Sequence, residues 1–216
     1  MSLPHSITAQ TVAPHRGRRR VPRQARSQVT VGAIVDATGR VLVRHGYAGC
    51  TTKRVAEVAG VGIGSLYEYF PNKDALVAAV VEQEVERFMG VLERELTATL
   101  GRPFSGALRT ALGAALRELE KRRALLSVLV IEYPRIVQLA TLSDLPLRAA
   151  EFAAICLRGW GDELGIPDQP ATHYVLANML FGVCLSQTLR PATAVTSEAM
   201  LDALVQVLLR GLQGRE

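Results

Sequence analysis

The run from Thr51 to Leu76, TTKRVAEVAGVGIGSLYEYFPNKDAL, constrains this chain more than any other stretch. It holds two apolar stripes at helical spacing, separated by a turn too short to let them diverge. Thr51 offers a hydroxyl that can cap a first helix, in which Val55, Ala56 and Ala59 share one face. Gly60 stops that helix, because glycine takes positive φ without a Cβ clash, and the chain turns through Gly60-Val61-Gly62. A second helix of about seven or eight residues then places Leu66 and Phe70 on one face. Asn72 can cap a third helix, with Asp74 in its first turn facing the positive end of the helix dipole. The pattern predicts a helical corner followed by a third helix start.

With Leu66 and Phe70 inward, the opposite face of the second helix presents Ile63, Ser65 and Glu68, with Tyr67 and Tyr69 at its flanks. A short hydroxyl, an aliphatic side chain for a thymine methyl and nearby cations are what a DNA major groove accepts. Lys73, unpaired at a helix N-terminus, suits a phosphate. Glu68 admits two roles: accepting from cytosine N4, or repelling phosphates and so enforcing register. The glycines of GVGIGS, from Gly60, resemble a phosphate loop, but Ser65 stands where the third glycine is needed and a helix precedes them where a strand is required.

These residues resemble the TetR-type transcriptional regulators. The likeness lies in the Thr51-Thr52 start, Val55-Ala56, Ala59-Gly60-Val61, Gly64, Leu66-Tyr67, Tyr69-Phe70, Lys73 and Leu76, and extends upstream through IVDATGRVLVRHGY, from Ile34 to Tyr47. About fifty residues are covered strongly. The resemblance implies base contacts from Ile63, Ser65 and Glu68, phosphate contacts from Tyr67, Tyr69 and Lys73, a backbone-crossing helix that begins with Thr51, Thr52, Lys53 and Arg54, and Gly64 as a further DNA-binding position. The chain departs from the pattern at Gly62, which lacks the usual capping side chain, and at Gly39, where a mid-helix glycine costs about 0.5–1 kcal/mol against alanine.

The charge balance agrees with a nucleic-acid partner for this region. Residues 1–74 hold 11 Lys or Arg against 4 Asp or Glu, a balance of +7, whereas residues 75–216 hold 14 against 16, a balance of −2. Phosphate neutralisation supplies most non-specific DNA affinity, so the basic third is where DNA belongs. Residues 1–22 read as a disordered basic arm, with Pro4, Pro14, Pro22 and an arginine run from Arg16 to Arg20. That arm either follows phosphates or enters a minor groove, or it is a solvated tail.

The rest of the chain predicts an all-α protein: a three-helix helix-turn-helix domain over 23–74 and a helical bundle over 75–216, which the family resemblance implies serves effector binding and dimerisation. Helix one is expected over about 24–45, ending at Gly46, with Ile34, Ala37, Val41 and Leu42 inward. Helix four is expected from Lys73 to about Leu100, with Phe88, Val91 and Leu92 on its apolar side and Glu82, Glu84, Glu86, Glu93 and Glu95 largely outside. Further helices are expected over 105–121, 125–139 with Pro134 interrupting, 145–164, 171–189 and 197–212. The last two carry Ala177, Met179, Leu180, Val183, Cys184 and then Met200, Leu201, Leu204, Val207 and Leu208, the expected homodimer interface, with Ala177 and Gly182 small enough for close approach.

No catalytic constellation is legible, and no enzyme activity, metal or cofactor is expected. Cys50, Cys156 and Cys184 are too far apart for a metal or disulfide framework and read as reduced, buried thiols of a cytoplasmic protein. From Gln169 to Leu189 no residue is charged. Pro170, His173 and Asn178 interrupt that stretch, so a helix buried between protein surfaces is expected over a membrane span. The polar and aromatic groups of the second domain are His173, Glu132, Tyr133, Arg135, Asp144, Glu151, Cys156 and Trp160. Glu132, on an expected apolar helix, either pairs with an arginine or meets a ligand cation; His173 and Trp160 suit a packed core. Effector contacts are assigned to Phe88, Leu116, Val130, Tyr133, Phe152, Cys156, Trp160 and Leu176. The resulting expectation is a homodimeric repressor released from a palindromic double-stranded operator by a small, largely apolar effector. The alternative is an effector-independent nucleic-acid-binding or scaffold protein using the same corner.

Overall fold

The computed structural model describes residues 25–133, 139–160, 169–190 and 194–212, and all regular structure among them is helical. The arginine-rich arm and Arg135 lie outside the described residues. Helix α1 covers Ala25–Gly49, α2 Thr52–Ala59, α3 Ile63–Tyr69 and α4 Lys73–Ala98. Helix α5 covers Phe104–Lys121 and α6 Arg123–Ser127, continued by a π-helical turn over Val128–Glu132. Helix α7 spans Ala140–Gly159, α8 Pro170–Leu189 and α9 Ser197–Leu212. The chain falls into two compact units that divide between Val80 and Val81, within α4 and not at 74/75.

In the first unit, local chemistry sets each boundary. Helical geometry in α1 fails at Gly46, with φ 64° and ψ 179°, the stop expected from the sequence. Ile34, Ala37, Val41 and Leu42 are buried, and the buried Thr38 hydroxyl donates to the Ile34 carbonyl at 2.8 Å. Thr51 caps α2 by accepting from the Arg54 N–H at 3.2 Å. Gly60 ends it at φ 69°, and the Val61 N–H reaches back to the Ala56 carbonyl at 3.1 Å, closing a Schellman turn. Helix α1 packs against α2, and α2 against α3. Leu66 and Phe70 are 0% and 1% exposed, so α3 is held by the face its spacing indicated.

The second unit is a helical bundle. Its core joins Phe104, Leu108, Leu112 and Leu116 of α5 to Cys184 of α8, to Leu204 and Leu208 of α9, and to Trp160. Helix α8 packs on α7 and α5, and α9 on α5. Trp160 stacks obliquely on Phe104 and donates its indole N–H to the Arg102 carbonyl at 2.8 Å, satisfying its polar end.

Two expectations, for Glu84 and for the start of α7, are corrected here. Glu84, expected largely outside on α4, is buried and held by a two-pronged ion pair with Arg122, which sits between α5 and α6; Arg122 Nε donates to Glu84 Oε2 at 2.8 Å. Its spacing from Glu82 and Glu86 carried no sign of that partner, 38 positions away. The interruption expected at Pro134 is present: the helical segment ends before Tyr133, whose extended backbone (φ −89°, ψ 103°) is what a following proline imposes. Glu132 is the last residue of the otherwise apolar helical turn Val128–Glu132, as expected, and is exposed there. Helix α7 starts at Ala140, so Pro146 lies inside it and forfeits one ladder hydrogen bond in place of opening the helix.

Because Leu66 has no solvent contact, Leu66→Ala should cost about 2–5 kcal/mol of unfolding free energy. Urea denaturation followed by circular dichroism measures this, and a loss below about 1 kcal/mol would show that α3 is not anchored through that side chain.

Candidate nucleic-acid interface and ligand cavity

Helix α3 turns the expected face outward. Ile63 is 44% exposed, and Gly64, Ser65, Tyr67 and Glu68 are exposed beside it. Gly62 caps the helix with extended backbone and no side-chain hydrogen bond, leaving the first turn uncrowded. The Tyr67 hydroxyl lies 3.0 Å from Thr52 Oγ1, an exposed link between the outer faces of α2 and α3. Lys53 is exposed next to it, and Thr51 is spent on its cap. Arg54 is half-buried, and its guanidinium donates to the Gly49 carbonyl, so it braces the entry to α2 from within the protein.

Tyr69 and Lys73 sit differently from expectation. Tyr69 is buried, at 8% exposure, and is not a flank of the outer face. The reason is angular: three residues after Leu66 and one before Phe70, it falls on the inward side of a 3.6-residue helix. Lys73 has a partner: its ammonium lies 3.8 Å from the Tyr47 ring centre and donates to the Tyr47 carbonyl at 3.1 Å. The Tyr47 hydroxyl in turn donates to Asp74 Oδ1 at 2.7 Å. Tyr47 thus clamps the first turn of α4 from both sides. Its signal in the sequence is only an aromatic residue directly after the helix-stopping Gly46. Asn72 caps α4 as expected, accepting from the Ala75 N–H at 2.9 Å.

The second unit holds a partly open cavity of about 130 Å³. Its walls include Phe88, Leu92 and Leu96 from α4, Leu108, Ala111 and Leu112 from α5, Leu145, Ala149 and Phe152 from α7, Leu176, Ala177, Asn178, Phe181 and Cys184 from α8, and Leu208 from α9. Phe88 and Phe181 meet edge to face with ring centres 5.5 Å apart. Of the expected effector contacts, Phe88, Phe152 and Leu176 line this space. Leu116 is buried in the core behind it, Tyr133 is buried elsewhere, Val130 is exposed, and Trp160 is bonded to the Arg102 carbonyl. The Cys156 side chain lies outside the described residues. These misses share a cause: a helical period says which residues are inward, not which inward residues border a void. His173 is buried but is not a wall residue, and Asp144 and Glu151 are exposed.

The two described thiols are buried. Desolvation raises the Cys50 thiol pKa, against the pull of Lys73 and Arg54, and desolvation pushes Cys184 up to about 11. Both are therefore thiols and not thiolates at neutral pH, and only thiolates alkylate quickly. Among the described residues no cluster of His, Cys, Asp or Glu could hold a metal ion. Iodoacetamide at pH 8 should label Cys184 in the native protein at least about tenfold more slowly than in the urea-unfolded chain; peptide mass spectrometry reads the site, and equal rates would contradict its enclosure.

Residues 34–80 match the family model described as bacterial regulatory proteins, tetR family. The chain is 33% identical over 95 residues to an uncharacterized HTH-type transcriptional regulator, YvkB, of Bacillus subtilis, covering 44% of this chain and 48% of that protein. The chain spans about half the length of that curated relative and about a third of the next ones. Two solved structures share the fold over nearly their whole length. A TetR-family transcriptional regulator from Mesorhizobium loti aligns with a TM-score of 0.69 at 21% identity, covering 86% of this chain and 98% of that one. The fatty acid degradation regulator FadR from Bacillus halodurans aligns at 0.63 with 18% identity, covering 86% and 97%. Residues 34–80, which hold the helix-turn-helix, thus match the tetR family of bacterial regulatory proteins, and the helical fold of the chain is shared with solved regulators of that type.

Proposed function

We propose that the protein is a homodimeric transcriptional repressor, which reads a palindromic double-stranded operator with one α3 helix per subunit and is released by a small, largely apolar effector. The observation that carries this reading is the outward face of α3, where Ile63, Ser65 and Glu68 project from a helix anchored by buried Leu66 and Phe70. A helix so anchored can enter a major groove without rearranging. Lys53, Thr52 and Tyr67 supply the phosphate-side contacts, whereas Tyr69, Lys73 and Arg54 act from inside by holding the corner in shape.

The cavity supports the effector half of the proposal. Pockets that bind small molecules are concave and mostly apolar, as this one is. Helix α4 begins with Lys73 and carries Phe88, Leu92 and Leu96 of the cavity wall further along. Occupation of the cavity can therefore bias the position of the helix that leaves the DNA-reading unit. A differential affinity of about 1–3 kcal/mol is enough for such coupling. An effector-independent binder or scaffold protein would have no use for this space, and no observation favours it.

The dimer surface follows from what α8 and α9 leave uncovered. Ala177, Cys184, Met200, Leu204 and Leu208, expected at the interface, are buried inside the protomer. Val175 is 60% exposed and Val207 62%, and Gly182 has open space where a side chain would stand. These residues carry the two-fold contact in this reading. No described helix is long and apolar enough to cross a membrane. A cytoplasmic location accompanies a DNA partner.

Binding-site selection from random duplexes tests the core of the proposal: the protein should return an inverted repeat, and Ser65→Ala should relax one position of each half-site by about 1 kcal/mol. A sequence-neutral selection would reject the regulator. In light scattering, Val175→Glu should shift the protein toward monomer and weaken operator binding at least about tenfold, since a charge left unpaired in an interface costs several-fold to many-fold in affinity. An unchanged dimer would move the interface away from α8.

A further inference from the structure

We propose that the cavity of the second unit selects uncharged effectors and rejects an ionised carboxylate on the same carbon skeleton. The inference rests on the effector reading above and names the chemical class that the site takes.

Every described wall residue except Asn178 is apolar or a thiol, and no Lys, Arg or His is among them. Several cations on the surrounding helices pair with carboxylates that are not wall residues, among them Arg122 with Glu84, Arg148 with Glu86, and Arg109 with Asp202 and Glu198. An ionised carboxylate entering the cavity would give up water without gaining a counter-charge, the most expensive form of burial. A hydroxyl, ether or ester loses far less. Asn178 supplies one polar point, and it is already oriented, because its amide Nδ2 donates to the Tyr174 carbonyl at 2.8 Å. That leaves its carbonyl oxygen to accept from a ligand hydroxyl.

Size narrows the class further. The volume of about 130 Å³ is close to the roughly 150 Å³ apolar cavity that admits a benzene ring. The edge-to-face pair of Phe88 and Phe181 offers both a ring face and a ring edge to such a guest. The site therefore suits a compact neutral hydrocarbon or a short neutral chain with at most one hydrogen-bonding group.

The test compares 1-hexanol with hexanoate on the full chain at pH 7.5, by nuclear magnetic resonance titration, with release of the selected operator duplex followed in parallel. Hexanol should bind at least about tenfold more tightly than hexanoate. Its affinity should fall when Ala111 or Ala149, both in the wall, is enlarged to leucine; whichever variant keeps the wild-type circular dichroism spectrum is used. Equal or tighter binding of hexanoate, or binding of neither compound, overturns the proposal. If hexanol is preferred but the operator stays bound, charge selection stands and the effector-release reading falls instead.

Discussion

The burial of Leu66 and Phe70 is the constraint on which the rest depends. A seven-residue helix has too few hydrogen bonds to persist alone, so its stability and its orientation both come from packing. Anchoring two side chains four positions apart fixes the rotation of α3 about its axis, and the identity of the outward residues follows. The Gly60 turn makes this possible by bringing α3 back against the corner within three residues of the end of α2. The same rotation carries Tyr69 inward with its neighbours, so the base-reading face is narrower than a list of polar and aromatic residues suggests.

A second level of support lies around the corner. Tyr47 holds Lys73 by its ring and carbonyl and Asp74 by its hydroxyl, while Arg54 ties α2 to the end of α1. Residues that resemble DNA contacts by type therefore divide into those that face outward and those that keep the outward ones in place. Half-buried Arg54 and Lys73, set against carbonyls and an aromatic ring, are held for shape and less screened by salt than exposed Lys53. The second unit shows the same economy of polar groups. Glu84 and Arg122 satisfy one another, Trp160 is capped by a carbonyl, and the cavity is left to hydrocarbon.

Much of this was legible because local rules are short-ranged. The Thr51 and Asn72 caps, the Gly46 and Gly60 stops, and the inward positions of Ile34, Val41, Leu42, Leu66 and Phe70 depend on neighbours within one or two turns. The resemblance of the corner to a known family also concerned residues in one uninterrupted register. The effector side was less legible. Leu116 and Phe152 have the same kind of inward position in sequence, yet one is packed solid and the other borders a void. Helix α8 is apolar nearly all round, so its pattern could not say that Ala177 and Cys184 belong to the protomer and Val175 to solvent or a partner.

The amino-acid sequence by itself determined the all-helical class, the helix-turn-helix and the outward triad of Ile63, Ser65 and Glu68, because each follows from caps, stops and a 3.6-residue period acting over a few residues. Only the tertiary structure decided that Tyr69 is internal and Lys73 is held by Tyr47, that Glu84 is buried with Arg122, and that an apolar space is bordered by α4, α5, α7, α8 and α9. Those outcomes depend on partners many positions apart. A void in particular is a property of how faces fail to fill space together, which no single segment encodes.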